Sequence, residues 1–476
     1  MKLNKFIIGS FLAVTVFASC KKVIDVKETD FIGGDVALLT VKNNEQGIIG
    51  AYAAMNVEMG ILLNSTLADE VQVAEFYNAG TTHEWQYGST DIGLRDNFTA
   101  FPLYYRIIDR VNRVLAALPK ATSTGAADDA LRIRLRGEAL FLRAFCHFEL
   151  YRYYCNSAVG TDLALAYMTT PSLDPQERIQ VAPYFVRLKA DLAEAKNLLP
   201  NPSTDIYRAS RMAATGLQAR IALYLREWTD ARTFANEYIT AIPLATPTQF
   251  RQIWTDGTNA ELSFELSRTS SIGTKIGSLF RGTSANSANI GTITWRPSNK
   301  LWDSYDQVND IRFAAYFRTE PLLTAAGRNP RLIGKYAGGP YGTPTENVAD
   351  AKVFRTGEMV LISAEAKAES GDLAGAALDL NTLRAARISG YVNETFATKD
   401  ALITAIYQER FKELPYEGHR FWDLKRRNLP VERIASDAPP GGTVTLSGGN
   451  FRFLLPIPNS EIQANPKMVQ NPGYTN

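Results

Sequence analysis

Four carboxylates, a histidine and four arginine or lysine side chains crowd one short stretch near the C-terminus, where residues 406–425 read I-Y-Q-E-R-F-K-E-L-P-Y-E-G-H-R-F-W-D-L-K. If this stretch is catalytic, Glu409, Glu413, Glu417 and Asp423 act as acid/base pairs and His419 shuttles the proton. The competing reading is structural. Arg420 forks onto a carboxylate while Phe421 and Trp422 exclude water, giving a buried and mutually satisfied ion-pair network. No nucleophile or metal-ligand spacing accompanies the carboxylates, and the chain has no G-x-S-x-G, H-E-x-x-H or phosphate-loop pattern. On chemistry alone the structural reading prevails.

A second constellation suits binding. Residues 60–98 break the helical rhythm, and within them Glu75-Phe76-Tyr77-Asn78 and His83-Glu84-Trp85-Gln86-Tyr87 alternate flat rings with hydrogen-bonding side chains. The rings of Phe76, Tyr77, Trp85 and Tyr87 suit the apolar C–H face of a pyranose, while Glu75, Asn78 and Gln86 suit its hydroxyls. Trp295, in I-T-W-R-P, is a further stacking candidate. Each ring contributes about 1 kcal/mol, so micromolar to millimolar affinity is expected from a shallow, wet site. The three histidines, His83, His147 and His419, are scattered without ligand spacing, so neither a metal nor any other cofactor is expected. A net charge of +2 argues against a partner bound through phosphate neutralisation.

The elements that must carry these residues are mostly helical. Residues 43–59, 98–115, 131–154, 183–199, 213–225, 228–238, 354–369 and 373–386 show helical periodicity, and a further helix starting near residue 398 leads into the C-terminal stretch. Small residues Ala213, Ala214, Gly216, Ala219 and Ala222, followed by a short turn and a second helix, follow the logic of tetratricopeptide repeats. In the helix over 131–154, Leu135, Ala139, Leu142 and Cys146 form the core stripe, with Arg132, Arg136, Arg143 and Arg152 as polar relief. On that helix Cys146 and Cys155 stand about 13 Å apart, too far for a disulfide, so both are read as buried thiols. Residues 242–350 are irregular, with short β-like runs such as 261–266, and are read as a folded insertion. Gly441-Gly442 and Gly448-Gly449 are read as flanking a hairpin.

The N-terminus reads as an address. Lys2 and Lys5 precede an apolar run from Phe6 to Phe17, and the segment closes on Ala18-Ser19-Cys20, similar to a bacterial lipobox in which Cys20 is acylated. This predicts a signal peptide over 1–19, a lipidated tether over 20–42 and one domain over 43–476. The predicted ligand-binding insertions lie near 60–98 and 242–350.

The C-terminal stretch E-R-F-K-E-L-P-Y-E-G-H-R-F-W-D-L-K, together with L-P-I-P-N-S-E-I at 455–462 and Q-N-P-G-Y at 470–474, closely resembles the signatures of the SusD/RagB family. G-E-A-L-F-L-R-A at 137–144 is also very like that family. These are surface glycan- and nutrient-binding lipoproteins of Bacteroidetes. The resemblance implies a mainly α fold with about four tetratricopeptide-like helix pairs and long loop-rich insertions. It also implies that the C-terminal motifs are scaffold. It further implies an outer-membrane lipoprotein, facing the cell exterior, that passes oligosaccharide to a SusC-like TonB-dependent transporter and is not an enzyme. Alternatives are peptide or other polymer cargo, or a tetratricopeptide scaffold that binds only protein.

Overall fold

The computed structural model describes residues 37–75, 80–91, 93–94, 98, 100–155, 159–202, 205–271, 275–280 and 293–474. The predicted signal peptide, Cys20 and most of the tether lie outside these residues, as do Phe76, Tyr77 and Asn78. Eleven longer helices dominate: α1 (Val41–Ala53), α2 (Glu58–Leu67), α3 (Ala100–Ala117), α4 (Ala126–Tyr154), α5 (Val181–Leu198), α6 (Arg211–Tyr224), α7 (Trp228–Ala241), α8 (Thr356–Glu369), α9 (Leu373–Arg387), α10 (Lys399–Glu413) and α11 (Arg420–Arg427). From α3 to α10 each helix packs on the next, and the two pairs expected across short turns, α6 with α7 and α8 with α9, are both in close contact. Local chemistry sets their ends. Ser210 and Thr398 cap α6 and α10 by accepting backbone N–H bonds from Ala213 and Ala401.

The central member is α4. The predicted stripe of Leu135, Ala139, Leu142 and Cys146 is fully buried, and so is every residue from Gly137 to Tyr154. A helix buried all round must neutralise its charges internally. Arg143 and Arg152 are therefore not relief toward water. Arg143 forks onto Asp191 with both bonds at 2.6 Å, and Arg152 onto Glu149 with both at 2.6 Å. Cys146 and Cys155 are both buried free thiols.

Three expectations need correction. The first helix stops at Ala53, and a separate buried helix, α2, occupies the start of the stretch read as irregular. Trp295 lies on a strand. Strands β1 (Val71–Val73) and β3 (Trp295–Pro297) pair antiparallel and join the two insertions. The expected hairpin at 441–449 is instead a ladder between β7 (Val431–Glu432) and β8 (Thr445–Leu446). Two further antiparallel ladders pair β2 (Leu262–Leu266) with β6 (Ala351–Arg355) and β4 (Phe317–Thr319) with β5 (Arg331–Ile333).

The charged C-terminal stretch is an ion-pair network. Glu413, fully buried, accepts from Arg312 at 3.0 Å and Arg387 at 3.1 Å, and also from Arg355. Arg312 further holds Asp310 and Glu409, and Arg387 holds Glu261 at 2.6 Å. Glu417 accepts from Arg355 and Lys335. Pro415 ends α10, and Tyr416 and Gly418, both left-handed at φ 61° and 79°, turn the chain into α11. Gly357 sits so close that a Cβ there would run into the Glu413 carboxylate and the Arg355 guanidinium.

Burial by itself would raise the Glu413 carboxyl, but Arg387, Arg355 and Arg312 hold it well below the usual range. Glu409, Glu417 and Asp423 are lowered against burial in the same way. In the unfolded chain these groups titrate near 3.8 to 4.5. The native state therefore binds fewer protons than the unfolded one as pH falls through that range, so stability present above about 4.5 is lost below it. Glu70 and Glu265, pushed up to about 7 by burial, act with the opposite sign between pH 7 and 4.5. His83, His147 and His419, held neutral by burial well below 6.5, add a loss that starts as pH drops through 6.5. Urea midpoints measured from pH 7 to pH 3 should therefore fall most steeply below about 4.5, where the carboxylate loss joins it. Glu413→Ala should cost about 3–5 kcal/mol in the same assay, because it leaves buried guanidinium groups unpaired. Gly357→Ala should also lower the midpoint at pH 7, even though alanine normally stabilises a helix.

Candidate functional site

The insertion after α2 is anchored before it reaches the surface. Asp69 takes a fork from Arg420 at 2.7 and 2.9 Å and a bond from Lys300 at 2.8 Å. Against the effect of burial, these two cations keep its carboxyl well below the usual range. Glu70 accepts from Ser65 at 2.7 Å and from the Tyr416 N–H at 3.2 Å. Both acids tie the insertion to the turn before α11.

Of the ring faces expected to stack ligand, the three in described residues are interior. Trp85 is 4% exposed, its indole N–H donates to the Leu67 carbonyl at 2.9 Å, and the Arg433 guanidinium covers its ring at 4.0 Å. Tyr87 is 1% exposed, its hydroxyl donates to the Arg452 carbonyl, and its ring stacks on Tyr474. Trp295, 4% exposed, lies on β3 with its ring 5.3 Å from that of His83. All three are held by distant parts of the chain, with little ring surface left to solvent. Among the hydrogen-bonding residues, Glu75 and Gln86 are exposed. Glu75 accepts from Arg296 at 2.6 Å and Arg328 at 3.1 Å. Those two arginines lower its carboxyl despite partial burial.

The open hollow of this insertion lies further along. A cleft of about 260 Å³ runs between residues 89–98 and the closing segment 455–463. Phe98, Tyr154, Leu455, Pro456 and Pro458 form its apolar lining, and Ser89, Thr90, Asp91, Asn459, Ser460 and Gln463 its polar one. The closing segment is held on α4 by the Leu455 N–H, which donates to the Tyr153 carbonyl at 3.0 Å. Pro456 keeps residues 455–458 out of a ladder, because proline has no N–H to donate, and Pro458 precedes a short helix, Asn459–Ala464. Sequence reasoning placed this segment in the scaffold and missed its place in the cleft wall. The available signal was the pairing of S-T-D at 89–91 with N-S at 459–460, small hydroxyl and amide side chains at two loop positions. Among the described residues lining the cleft Asp91 is the one carboxylate, and it accepts the Leu94 N–H at 2.8 Å. This lining suits noncovalent contact, apolar on one side and hydroxyl-directed on the other.

Two models of one family match the chain, the SusD family over residues 328–474 and "starch-binding associating with outer membrane" over residues 36–223. The chain belongs to the SusD-like family. A SusD-like protein of Formosa agariphila is 23% identical to it, with 97% of each chain covered. A SusD superfamily protein from Bacteroides thetaiotaomicron superimposes with a TM-score of 0.79 at 22% identity, covering 91% of this chain and 100% of that one. A laminarin-binding SusD-like protein superimposes with a TM-score of 0.71 at 22% identity, covering 91% and 99%. At these identities the structural likeness establishes the fold. Among the described residues of this SusD-like chain, no three His, Cys, Asp or Glu side chains gather as metal ligands, and no helix is long and apolar enough to cross a membrane.

The placement of Trp85 yields a specific outcome. Trp85→Ala removes a fully packed ring and strands the Leu67 carbonyl, so it should lower unfolding stability by about 3–5 kcal/mol. Gln86→Ala, one residue away and exposed, should leave stability unchanged in the same denaturation experiment.

Proposed function

We propose that this SusD-like protein captures oligosaccharide without covalent chemistry, with the cleft between residues 89–98 and 455–463 as its contact site. The observation that carries the reading is the lining: prolines backed by the buried rings of Phe98 and Tyr154 on one side, hydroxyl and amide side chains on the other. The family description, starch-binding with outer-membrane association, and the laminarin-binding structural neighbour both support a carbohydrate ligand. A sugar ring would rest its C–H face on the half-buried Pro458 while Thr90, Asn459, Ser460 and Gln463 meet its hydroxyls. The chain is in this reading a binding protein and not an enzyme.

Glu75, Phe76, Tyr77, Asn78 and Gln86 form a second proposed contact segment. Its support is the Glu75 carboxylate, which Arg296 and Arg328 hold at the surface. Captured glycan is passed to a SusC-like TonB-dependent transporter, and acylated Cys20 anchors the domain to the outer membrane, facing outward. Two acyl chains suffice for stable attachment without a spanning helix.

Calorimetric titration of the domain lacking residues 1–20 against panels of glucan oligosaccharides and peptides tests the capture. Ser460→Trp fills the cleft and should weaken glycan binding at least tenfold, about 1.4 kcal/mol, with an unchanged melting temperature. Equal binding by that variant removes the cleft from the reading, and a parallel Tyr77→Ala variant then tests the second segment. Peptide binding without glycan binding would favour peptide cargo. For the anchor, Cys20→Ala should move the protein from the membrane fraction to the soluble one.

A further inference from the structure

A second cleft, of about 410 Å³, opens at the C-terminal end of α4, where α4, the α6–α7 turn and the end of α11 meet. Among the described residues its lining contains Arg226, Lys425 and Arg426 and no carboxylate. The three cations are not equivalent. Arg426 is neutralised, forking onto Glu365 at 2.6 and 2.7 Å and bonding Asp423 at 2.8 Å. Arg226 is exposed, and no carboxylate of the described residues pairs with it. Its guanidinium donates to the Arg426 carbonyl at 3.0 Å, which fixes its direction and leaves its charge uncompensated. The backbone of Arg226 is left-handed, at φ 58°, a conformation uncommon for a residue with a side chain.

Lys425 is the second uncompensated cation. Its ammonium donates to the Arg152 and Cys155 carbonyls and lies 4.5 Å from the Trp422 ring centre, so it has dipolar partners but no anion. Burial pushes it down to about 7, the response of an ammonium that lacks a counter-charge. Tyr224 and Asn428 add polar groups to the same wall. A fixed guanidinium and an ammonium about half protonated near pH 7 both line a hollow large enough for a small ligand, and neither is paired with a carboxylate of the described residues. They suit a carboxylate, sulfate or phosphate, whose binding would favour the protonated ammonium.

We propose that this cleft is a binding site for an anionic group, distinct from the glycan cleft, with Arg226 as the directing cation and Lys425 as the buried one. The recognised chemistry is a tetrahedral or planar oxyanion carried by a small molecule.

The test uses the domain lacking residues 1–20 at constant ionic strength, titrated calorimetrically with sodium sulfate, inorganic phosphate and glucuronate, with sodium chloride as control. The wild type should bind at least one of the three oxyanions with millimolar or better affinity and show no heat with chloride. Arg226→Gln keeps side-chain length and removes the charge, and it should weaken that binding at least tenfold while the melting temperature holds. The ranking of the three probes distinguishes a sugar acid from an inorganic or ester anion. Absence of binding by all three, or equal binding by Arg226→Gln, overturns the proposal. Ser460→Trp should leave the anion affinity intact, so failure here and failure of the glycan cleft are separately visible.

Discussion

Everything in the C-terminal half of this protein has to accommodate one fully buried carboxylate, Glu413, surrounded by Arg312, Arg355 and Arg387. A buried charge is costly unless its partners are present with good geometry, and these partners come from three separate places in the chain. Arg312 arrives from the irregular insertion, Arg355 from the end of β6 and Arg387 from the end of α9. None of them can move without leaving a charge stranded. The network therefore acts as a register, locking the last helix pair to the sheet fragments and the insertion in one arrangement. Gly357 shows how tight that arrangement is, since a single methyl group at its position has no room.

The same constraint explains why the stretch richest in acid/base residues is not a catalytic centre. Glu409, Glu413, Glu417 and Asp423 are each bonded to arginine or lysine and held ionised against burial. His419 is buried and strongly disfavoured as a cation, first by desolvation and then by Arg220, Arg410, Arg152 and Arg355. Groups so placed neither donate nor accept protons near neutral pH. Chemistry-bearing residues here serve rigidity, while short polar side chains and prolines line the hollow beside the closing segment.

Rigidity of this kind suits a protein whose work is presentation. The helix pairs and the Asp69–Arg420 tie fix where residues 89–98 and 455–463 face each other. Segments from opposite ends of the chain thus form one wall. The burial and ion pairing that define the fold lie elsewhere, in α4 and the network around Glu413.

The helices were legible from the sequence because helical periodicity and caps are local. The stripe Leu135–Cys146, the stop at Pro415 and the small-residue face of α6 each depend on neighbours within a few positions. The family was legible for a related reason: the fold's strictest requirement, the charged network, is written in one contiguous stretch. Exposure was not legible. Trp85, Tyr87 and Trp295 have the composition of a sugar platform, and only tertiary partners decided otherwise, since Arg433, Arg452 and His83 lie remote from the rings they cover or take up. The cleft wall at 455–463 was hidden for the converse reason, because residues that look like scaffold became surface when Leu455 docked on Tyr153. Periodicity reports which residues share a face; only the assembled long-range contacts decide whether that face meets water.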